Sequence, residues 1–543
     1  MSSSSANIAL RIVFVFFVAA YAIIFLIAPQ LGPTDDIVFL RTLQQGKPLL
    51  YYSQAFPYYE TANLGRFVPL VAMEYNLVGF FSKTPRAYFA YHALQFILLI
   101  VLLVMLAKQL GATTPLTYGA IVLLCLLPAF TFAWFRLQLP ERNALFFYTA
   151  FLLTYLAFLR KPTVGWAGFS LIFANIAIYY KEAAFVAIGA FAFARLVLTW
   201  RQADWRKRCL DLTLLISAIL YLLLYYLLVF RHSLPFIFRH PANRTLLVFI
   251  KNFFNFAFFS DPLLLLLILP LALWRWYQAA RQRLQLDPLI DSLLLATLAY
   301  VGIFFILNLF QPYYLLPAYA FALPALLGLF GQQPRLGRTH KLALALIGLI
   351  LLTITLPAGL HFLTYHKYLP VNFNATLDFL QRDLARQPNK KPPAIFFDGI
   401  DLAGGRGTYF ILAEFLTARG VPFDRYDLRS NTPTPQPEPL VSKISYPFAV
   451  FTSDATSTIR PGDYLIIAPQ SPKQITPAYL SLLEADYRLV FQTKSPFALP
   501  MLNAKTLLKT LLIRRLSSSQ RQPGLIKNEN LLDLPDYYVF RKK

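Results

Sequence analysis

Long apolar runs recur along the first two thirds of the chain, separated by short polar connections. The first is "IALRIVFVFFVAAYAIIFLIA" at 8–28, and others lie near 88–107, 115–135, 142–159, 164–180, 183–200, 210–230, 261–278, 289–309, 312–330 and 342–362. Each approaches the roughly 20 residues that a helix needs to cross a bilayer. Past residue 370 the pattern changes to short apolar runs in ordinary polar sequence. "AIFFDG" (394–399), "DYLIIAP" (463–469), "YRLVFQ" (487–492) and "YYVFR" (537–541) predict strands, and "GTYFILAEFLTARG" (407–420) predicts a helix ended by Gly420. The pattern therefore predicts a mostly α polytopic bundle over residues 1–369, with about eleven spans. A small soluble α/β domain is expected over 370–543.

Composition agrees: of 543 residues 57% are hydrophobic and only 14% charged, where soluble proteins carry about a quarter. The net charge of +24 could suggest nucleic acid, but the cations sit between apolar runs, which suits topology control and anionic lipid instead. Lys108, Arg160 and Lys161, "RQADWRKR" (201–208), "RWYQAARQR" (275–283) and "RLGRTHK" (335–341) all fall on one side of the bundle. That side is read as cytoplasmic, in the cytoplasmic (inner) membrane. The loop 231–251, with Arg231, Arg239, Arg244 and Lys251, dissents. An odd number of spans then sends 370–543 outside. The first run lacks a small-residue cleavage site and reads as a retained anchor. Cys125 and Cys209 imply no disulfide framework.

The acids sharpen the picture. In the membrane part Asp204, Asp211, Asp287 and Asp291 lie on the cytoplasmic side, whereas Asp35, Asp36, Glu60, Glu74, Glu141, Glu182 and Asp261 fall on the outer side. The first outer loop, 29–87, is too long for a plain connector. Two interfacial helices are expected in it, over 35–46 and 65–83, as a platform for a membrane-borne substrate. "GPTDDIVFL" (32–40) sets two carboxylates side by side at the membrane rim. A helix cap at Thr34-Asp35-Asp36 is one explanation, and chemistry is the other. Glu141-Arg142 in "QLPERN" and Lys181-Glu182 in "YYKEAAF" occupy very short outer turns, where snorkelling interface charges are the competing explanation.

Twin acids after the first span, a "GRF-P" surface segment, then outer-loop acids and "KE" resemble the integral-membrane glycosyltransferases of the GT-C fold. Protein O-mannosyltransferases and the aminoarabinose transferases of lipid A are relatives of this kind. The resemblance implies a sugar donor carried on polyprenyl phosphate and an envelope glycan, lipid or protein acceptor. Transfer would take place on the outer face, in contact with membrane lipids and without nucleic acid. It further implies Asp35 as general base, Asp36 as its partner, Glu141 as a second-loop acid near a divalent cation (magnesium, manganese or calcium), and Lys181 facing the lipid phosphate beside Glu182. Asp36 and Glu141 are the metal candidates, although the loop has no further carboxylate close to the pair to complete a shell. Arg66, Arg244 and Lys251 are phosphate contacts by charge alone. One base and a phosphate leaving group imply a single inverting displacement.

Other signals add little. "AGGRG" (403–407) reads first as a turn and helix start, and the six histidines show no metal spacing. The rival readings are a transporter or lipid flippase, which predicts ionisable groups at mid-membrane, and a non-catalytic anchor for the outer domain, which leaves the outer acids without a purpose.

Overall fold

A computed structural model describes residues 3–33, 36, 67–231, 250, 253, 261–307, 309, 311–332, 338–386, 392–399, 406–429, 458–469, 477–497, 499 and 534–543. The chain forms two compact units. One contains residues 1–27, 50–54 and 61–359; the other contains 28–49, 55–60 and 360–543.

Every regular element among the described residues of the first unit is helical. It comprises α1 (Ser3–Leu26), α2 (Glu74–Phe81), α3 (Pro85–Gln109), α4 (Thr114–Cys125), α5 (Pro128–Trp134), α6 (Glu141–Arg160), α7 (Val164–Tyr180), α8 (Ala184–Thr199), α9 (Trp205–Tyr225), α10 (Leu269–Ala280), α11 (Pro288–Ile306) and α12 (Tyr319–Gln332). Among the described residues seven helices are long and apolar enough to cross a membrane, or eight if the bent pair α4–α5, with 62° between its halves, is one span. The protein is a multi-pass membrane protein. Each of the eleven expected segments meets a helix, but α7, α8 and the stretch Leu264–Ala280 are shorter than full spans. Pro128 marks the bend, since a proline inside a helix removes a hydrogen bond and clashes with the preceding turn.

Helix α6 is buried almost all round, as befits the centre of a bundle. By contrast α1 and α9 expose apolar side chains such as Phe16 (74%) and Ile219 (56%), which suits hydrocarbon. Helices α6 and α7 hold 20 and 17 residues, close to 30 and 26 Å at about 1.5 Å per residue, and only residues 161–163 join them. Such a short connection makes them an antiparallel hairpin, so the start of α6 and the end of α7 lie at one end. This pairing sets Glu141 and Lys181 together.

The surface helix expected over 65–83 is curtailed to α2. Ala72 adopts φ +66°, a left-handed conformation that a side chain resists and that no helix passes through. The helix expected over 35–46 lies outside the described residues.

The second unit holds, from residue 360 on, the later part of one long helix and a five-stranded sheet. Helix α13 (Arg338–Arg386, 49 residues) continues far beyond the expected end near 362. Its later part is amphipathic, not polar: Leu369, Phe373, Leu377, Leu380 and Leu384 recur at helical spacing and are all buried. A five-stranded sheet follows, with β1 (Ala394–Phe397), β2 (Asp427–Leu428), β3 (Tyr464–Ile467), β4 (Tyr487–Gln492) and β5 (Tyr538–Lys542) in the order β2-β1-β3-β5-β4. β1 pairs in parallel with β2 and β3, while β5 runs antiparallel to β3 and β4. The four expected strands are all present; β2 and the helix α15 (Pro477–Asp486) are additions, one being only two residues long. Helix α14 (Arg406–Ala418) ends as expected at Gly420, whose φ of +78° lets Val421 N–H reach Leu416 C=O at 3.0 Å. Phe396, Leu465, Ile467, Leu483 and Phe540 form the core of this unit.

Candidate active site

Glu141 opens α6 after Pro140, and Lys181 caps the C-terminus of α7 in extended conformation (φ −145°, ψ 123°). The hairpin brings them into contact. Lys181 Nζ stands 2.8 Å from Glu141 Oε1 and 4.0 Å from Glu182 Oε2. The Lys181 and Glu141 side chains are 2% and 1% exposed, whereas Glu182 is 22% exposed. The contact is one of charge rather than an aligned hydrogen bond: neither Glu141 oxygen accepts a hydrogen bond among the described residues. Most buried polar atoms find a partner, and both Glu141 oxygens are exceptions among the described residues.

Aromatic rings wall the pair. The ammonium of Lys181 lies 4.6 Å from the Tyr314 ring centroid and 5.8 Å from that of Phe304. These two rings stack on each other at 5.2 Å. Tyr314 belongs to the 3-10 turn Pro312–Ala318, which a proline starts and another, Pro317, interrupts. Its neighbour Tyr313 packs on Phe132 at 4.8 Å, and the Arg136 guanidinium sits 5.2 Å over Phe132. Sequence reasoning passed over Tyr313, Tyr314 and Arg136, because one aromatic among many apolar residues carries no pattern.

The neighbouring charges do not pair as the sequence suggests. Glu141 and Arg142 are adjacent in the chain but face different partners, since successive helix residues diverge by about 100°. Arg142 is buried and gives Nη2 to Glu74 Oε1 at 3.2 Å and to the Tyr75 hydroxyl at 2.7 Å. Its Nη1 lies 2.5 Å from His92 Nε2. A guanidinium can only donate, so Nε2 accepts, and His92 Nδ1 carries the proton toward Trp134 C=O at 3.0 Å. Glu74 also accepts from Asn143 Nδ2 at 2.6 Å and from the Tyr180 hydroxyl at 3.1 Å. Burial pushes the Glu74 carboxyl above its ordinary value, against the opposing pull of Arg142 and these donors.

Asp36 is buried in the second unit, and its Oδ2 accepts the Gly32 N–H at 2.7 Å. Nearby, Asn374 of α13 donates to Leu31 C=O at 2.9 Å. Asp36 thus ties itself back to the backbone at Gly32. Asp35, Arg66, Arg244 and Lys251 lie outside the described residues. Among the described residues no three metal-ligating side chains converge. Glu141 already faces an ammonium, a poor fit for a divalent cation at that carboxylate.

No family model matches the chain, and no curated protein matches it either. Among solved structures it is similar to ArnT from Cupriavidus metallidurans bound to undecaprenyl phosphate. The two are 13% identical, with 88% of this chain and 96% of that chain covered and a TM-score of 0.42.

Proposed function

We propose that the chain is a membrane glycosyltransferase that takes a sugar from a polyprenyl-phosphate carrier and passes it to an envelope glycan, lipid or protein at the outer face. The observation that carries this reading is the buried Lys181–Glu141 pair. A lysine walled by Tyr314 and Phe304 beside a carboxylate that accepts no hydrogen bond among the described residues is an arrangement poised to exchange partners. An arriving phosphodiester offers Lys181 a second anion, and cationic stabilisation of a departing phosphate is where such a group contributes most. Exchange frees Glu141 to accept a hydroxyl of the sugar or acceptor, and the partly exposed Glu182 lines the approach.

Asp35 serves as the base, next in the chain to Asp36, whose Oδ2 accepts the Gly32 N–H. The acceptor oxygen attacks the anomeric carbon, the bond from that carbon to the phosphate oxygen breaks, and polyprenyl phosphate leaves with the electron pair. The acceptor proton passes to Asp35. One displacement inverts the anomeric centre. Arg66 and Arg244 supply further cationic contacts to the phosphate. The connections at 161–163 and 200–204 share one end of the α6–α9 array by helix alternation. Arg160, Lys161, Arg201, Arg206, Lys207 and Arg208 cluster there, which supports a cytoplasmic assignment for that end and an outer one for Lys181.

Purified protein in nanodiscs, given a polyprenyl-phosphate-linked hexose or pentose and an envelope acceptor, tests the proposal. Lys181→Ala is expected to lower transfer by about 10²–10³, the range for removing one preorganised stabiliser. Asp35→Asn is expected to lower it by about 10²–10⁴ as a lost general base. Full transfer by both variants, with the protein folded by gel filtration, would overturn the assignment.

A further inference from the structure

Two residues of the proposed site share an unusual feature: each is the immediate chain neighbour of a member of the Glu74 network. Glu141 precedes Arg142 and Asn143, and Lys181 follows Tyr180. Glu74 receives Arg142 and Asn143 from the first turn of α6 and Tyr180 from the last turn of α7. We propose that Glu74 is a positioning residue: one carboxylate ties together the two helix ends that carry Glu141 and Lys181, and so sets the contact between them.

The geometry supports a tie rather than incidental packing. Oε1 holds the α6 side and Oε2 the α7 side, so both oxygens of the carboxylate are used and both helices are engaged. The network is anchored in turn. Gln95 of α3 gives Nε2 to Asn143 Oδ1 at 2.7 Å, and Tyr75, having accepted from Arg142, donates to Leu137 C=O at 2.6 Å. The backbone adds a strand-like link between the α2 approach and α7, Leu70 N–H to Tyr179 C=O at 3.4 Å. A short surface helix thereby fixes two bundle helices at their outer ends. Its own far face, with Leu77, Phe80 and Phe81 73–86% exposed, is free to meet lipid. The residue therefore acts on the reaction only through Lys181 and Glu141.

The role of the pair in transfer rests on the proposed function; the positioning itself does not, and the two can be separated. Reductive methylation of the protein in nanodiscs, read by peptide mass spectrometry, reports the cover over Lys181 without any sugar donor, with the exposed Lys83 as internal reference. Wild-type Lys181 is expected to be strongly protected. Glu74→Gln and the milder Tyr180→Phe, which leaves no charge unpaired, are each expected to raise Lys181 labelling several-fold while Lys83 stays unchanged. If Glu74→Gln fails to fold, Tyr180→Phe carries the test alone. Wild-type protection of Lys181 in the folded variants would overturn the proposal.

Transfer measurements then add a coupling test. Glu74→Gln should cost several-fold in transfer by the intact protein and nothing further in a Lys181→Ala background. An equal cost in both backgrounds would also overturn positioning through Lys181. Loss of protection in a protein that transfers no sugar in any form would uphold the positioning and sink the proposed function instead.

Discussion

Two of the buried ion pairs that join helix ends among the described residues of the first unit, Arg275–Asp291 and Lys181–Glu141, differ in how completely their hydrogen bonds are made. Arg275 near the end of α10 meets Asp291 at the start of α11 through two bonds, Nε to Oδ1 at 2.9 Å and Nη2 to Oδ2 at 2.8 Å. The backbone N–H of Asp287 adds a third to Oδ2, also at 2.8 Å. Every carboxylate oxygen is engaged and the fork geometry is the one that guanidinium favours. Lys181 and Glu141 touch at 2.8 Å, yet neither Glu141 oxygen accepts a hydrogen bond among the described residues. Asp291 and Phe304 stand at opposite ends of α11, separated by about 20 Å at 1.5 Å per residue, and Phe304 faces Lys181. One end of the bundle is closed by a finished pair, and the other holds an unfinished one. Desolvating two charges is repaid only when their remaining hydrogen bonds are made, so the unfinished pair is retained at a cost to stability. The proposed function gives that cost a use at that end.

The largest expected effect separates the pairs by stability. Arg275→Ala leaves Asp291 buried and uncompensated and is expected to cost about 3–5 kcal/mol, read as thermal unfolding in nanodiscs. Replacing both partners, Arg275→Met with Asp291→Leu, should recover most of that loss and keep transfer per folded molecule at the wild-type level. A double variant that folds well but transfers nothing would erase the distinction.

The same exchange at the other pair should give the opposite balance. Lys181→Met with Glu141→Leu is expected to leave unfolding unchanged or raised, because a buried ion pair replaced by apolar side chains is often neutral or stabilising. Transfer should nevertheless fall by about 10²–10³. A smaller loss is expected for Lys181→Arg, which keeps the charge but not the compact ammonium. Transfer equal to wild type in the double variant would make this pair structural, like its counterpart.

Much of this fold was legible in the apolar pattern, and the exceptions have local causes. The bilayer-length runs and the strands near 394, 464, 487 and 538 follow from periodicity. The extension of α13 does not, because "HKYLPVNFNATLDFLQRDLAR" reads as polar until Leu369, Phe373 and Leu377 are seen to share a buried face. The site was half legible. Glu141 and Lys181 stood out as charges in short turns, and the hairpin brings them together. Adjacency pairs Lys181 with Glu182, which does stand within 4.0 Å. It also pairs Glu141 with Arg142, which turns to Glu74 instead because successive helix residues diverge by about 100°. The Glu74–Arg142 link spans 68 positions in the chain and leaves no local signal.

A cation–π contact gives a smaller effect at the unfinished pair. Tyr314→Phe keeps the ring under the Lys181 ammonium, whereas Tyr314→Leu removes it, a loss of about 0.5–2 kcal/mol for a partly to fully desolvated contact. Donor KM should rise several-fold for leucine and little for phenylalanine. Equal effects of the two would assign the contribution to the hydroxyl instead of the ring face.

The smallest effect concerns the acid that resembles Asp291 more than Glu141. Asp36 is buried with Oδ2 already accepting the Gly32 N–H at 2.7 Å, and the turn is close-packed there: a Cβ on Gly32 would stand 3.2 Å from Pro370 Cγ. Asparagine offers the same acceptor oxygen, so Asp36→Asn should unfold within about a degree of wild type and keep most of its transfer activity. Alanine offers none. Asp36→Ala is expected to lose about 0.5–2 kcal/mol, the range for deleting a side chain that caps backbone N–H groups, with transfer falling much less than for Asp35→Asn. If Asp36→Asn instead lost transfer as severely as Asp35→Asn while unfolding normally, the charge of Asp36 would matter and not its hydrogen bond. Asp36 would then belong with Glu141 among the acids held for chemistry.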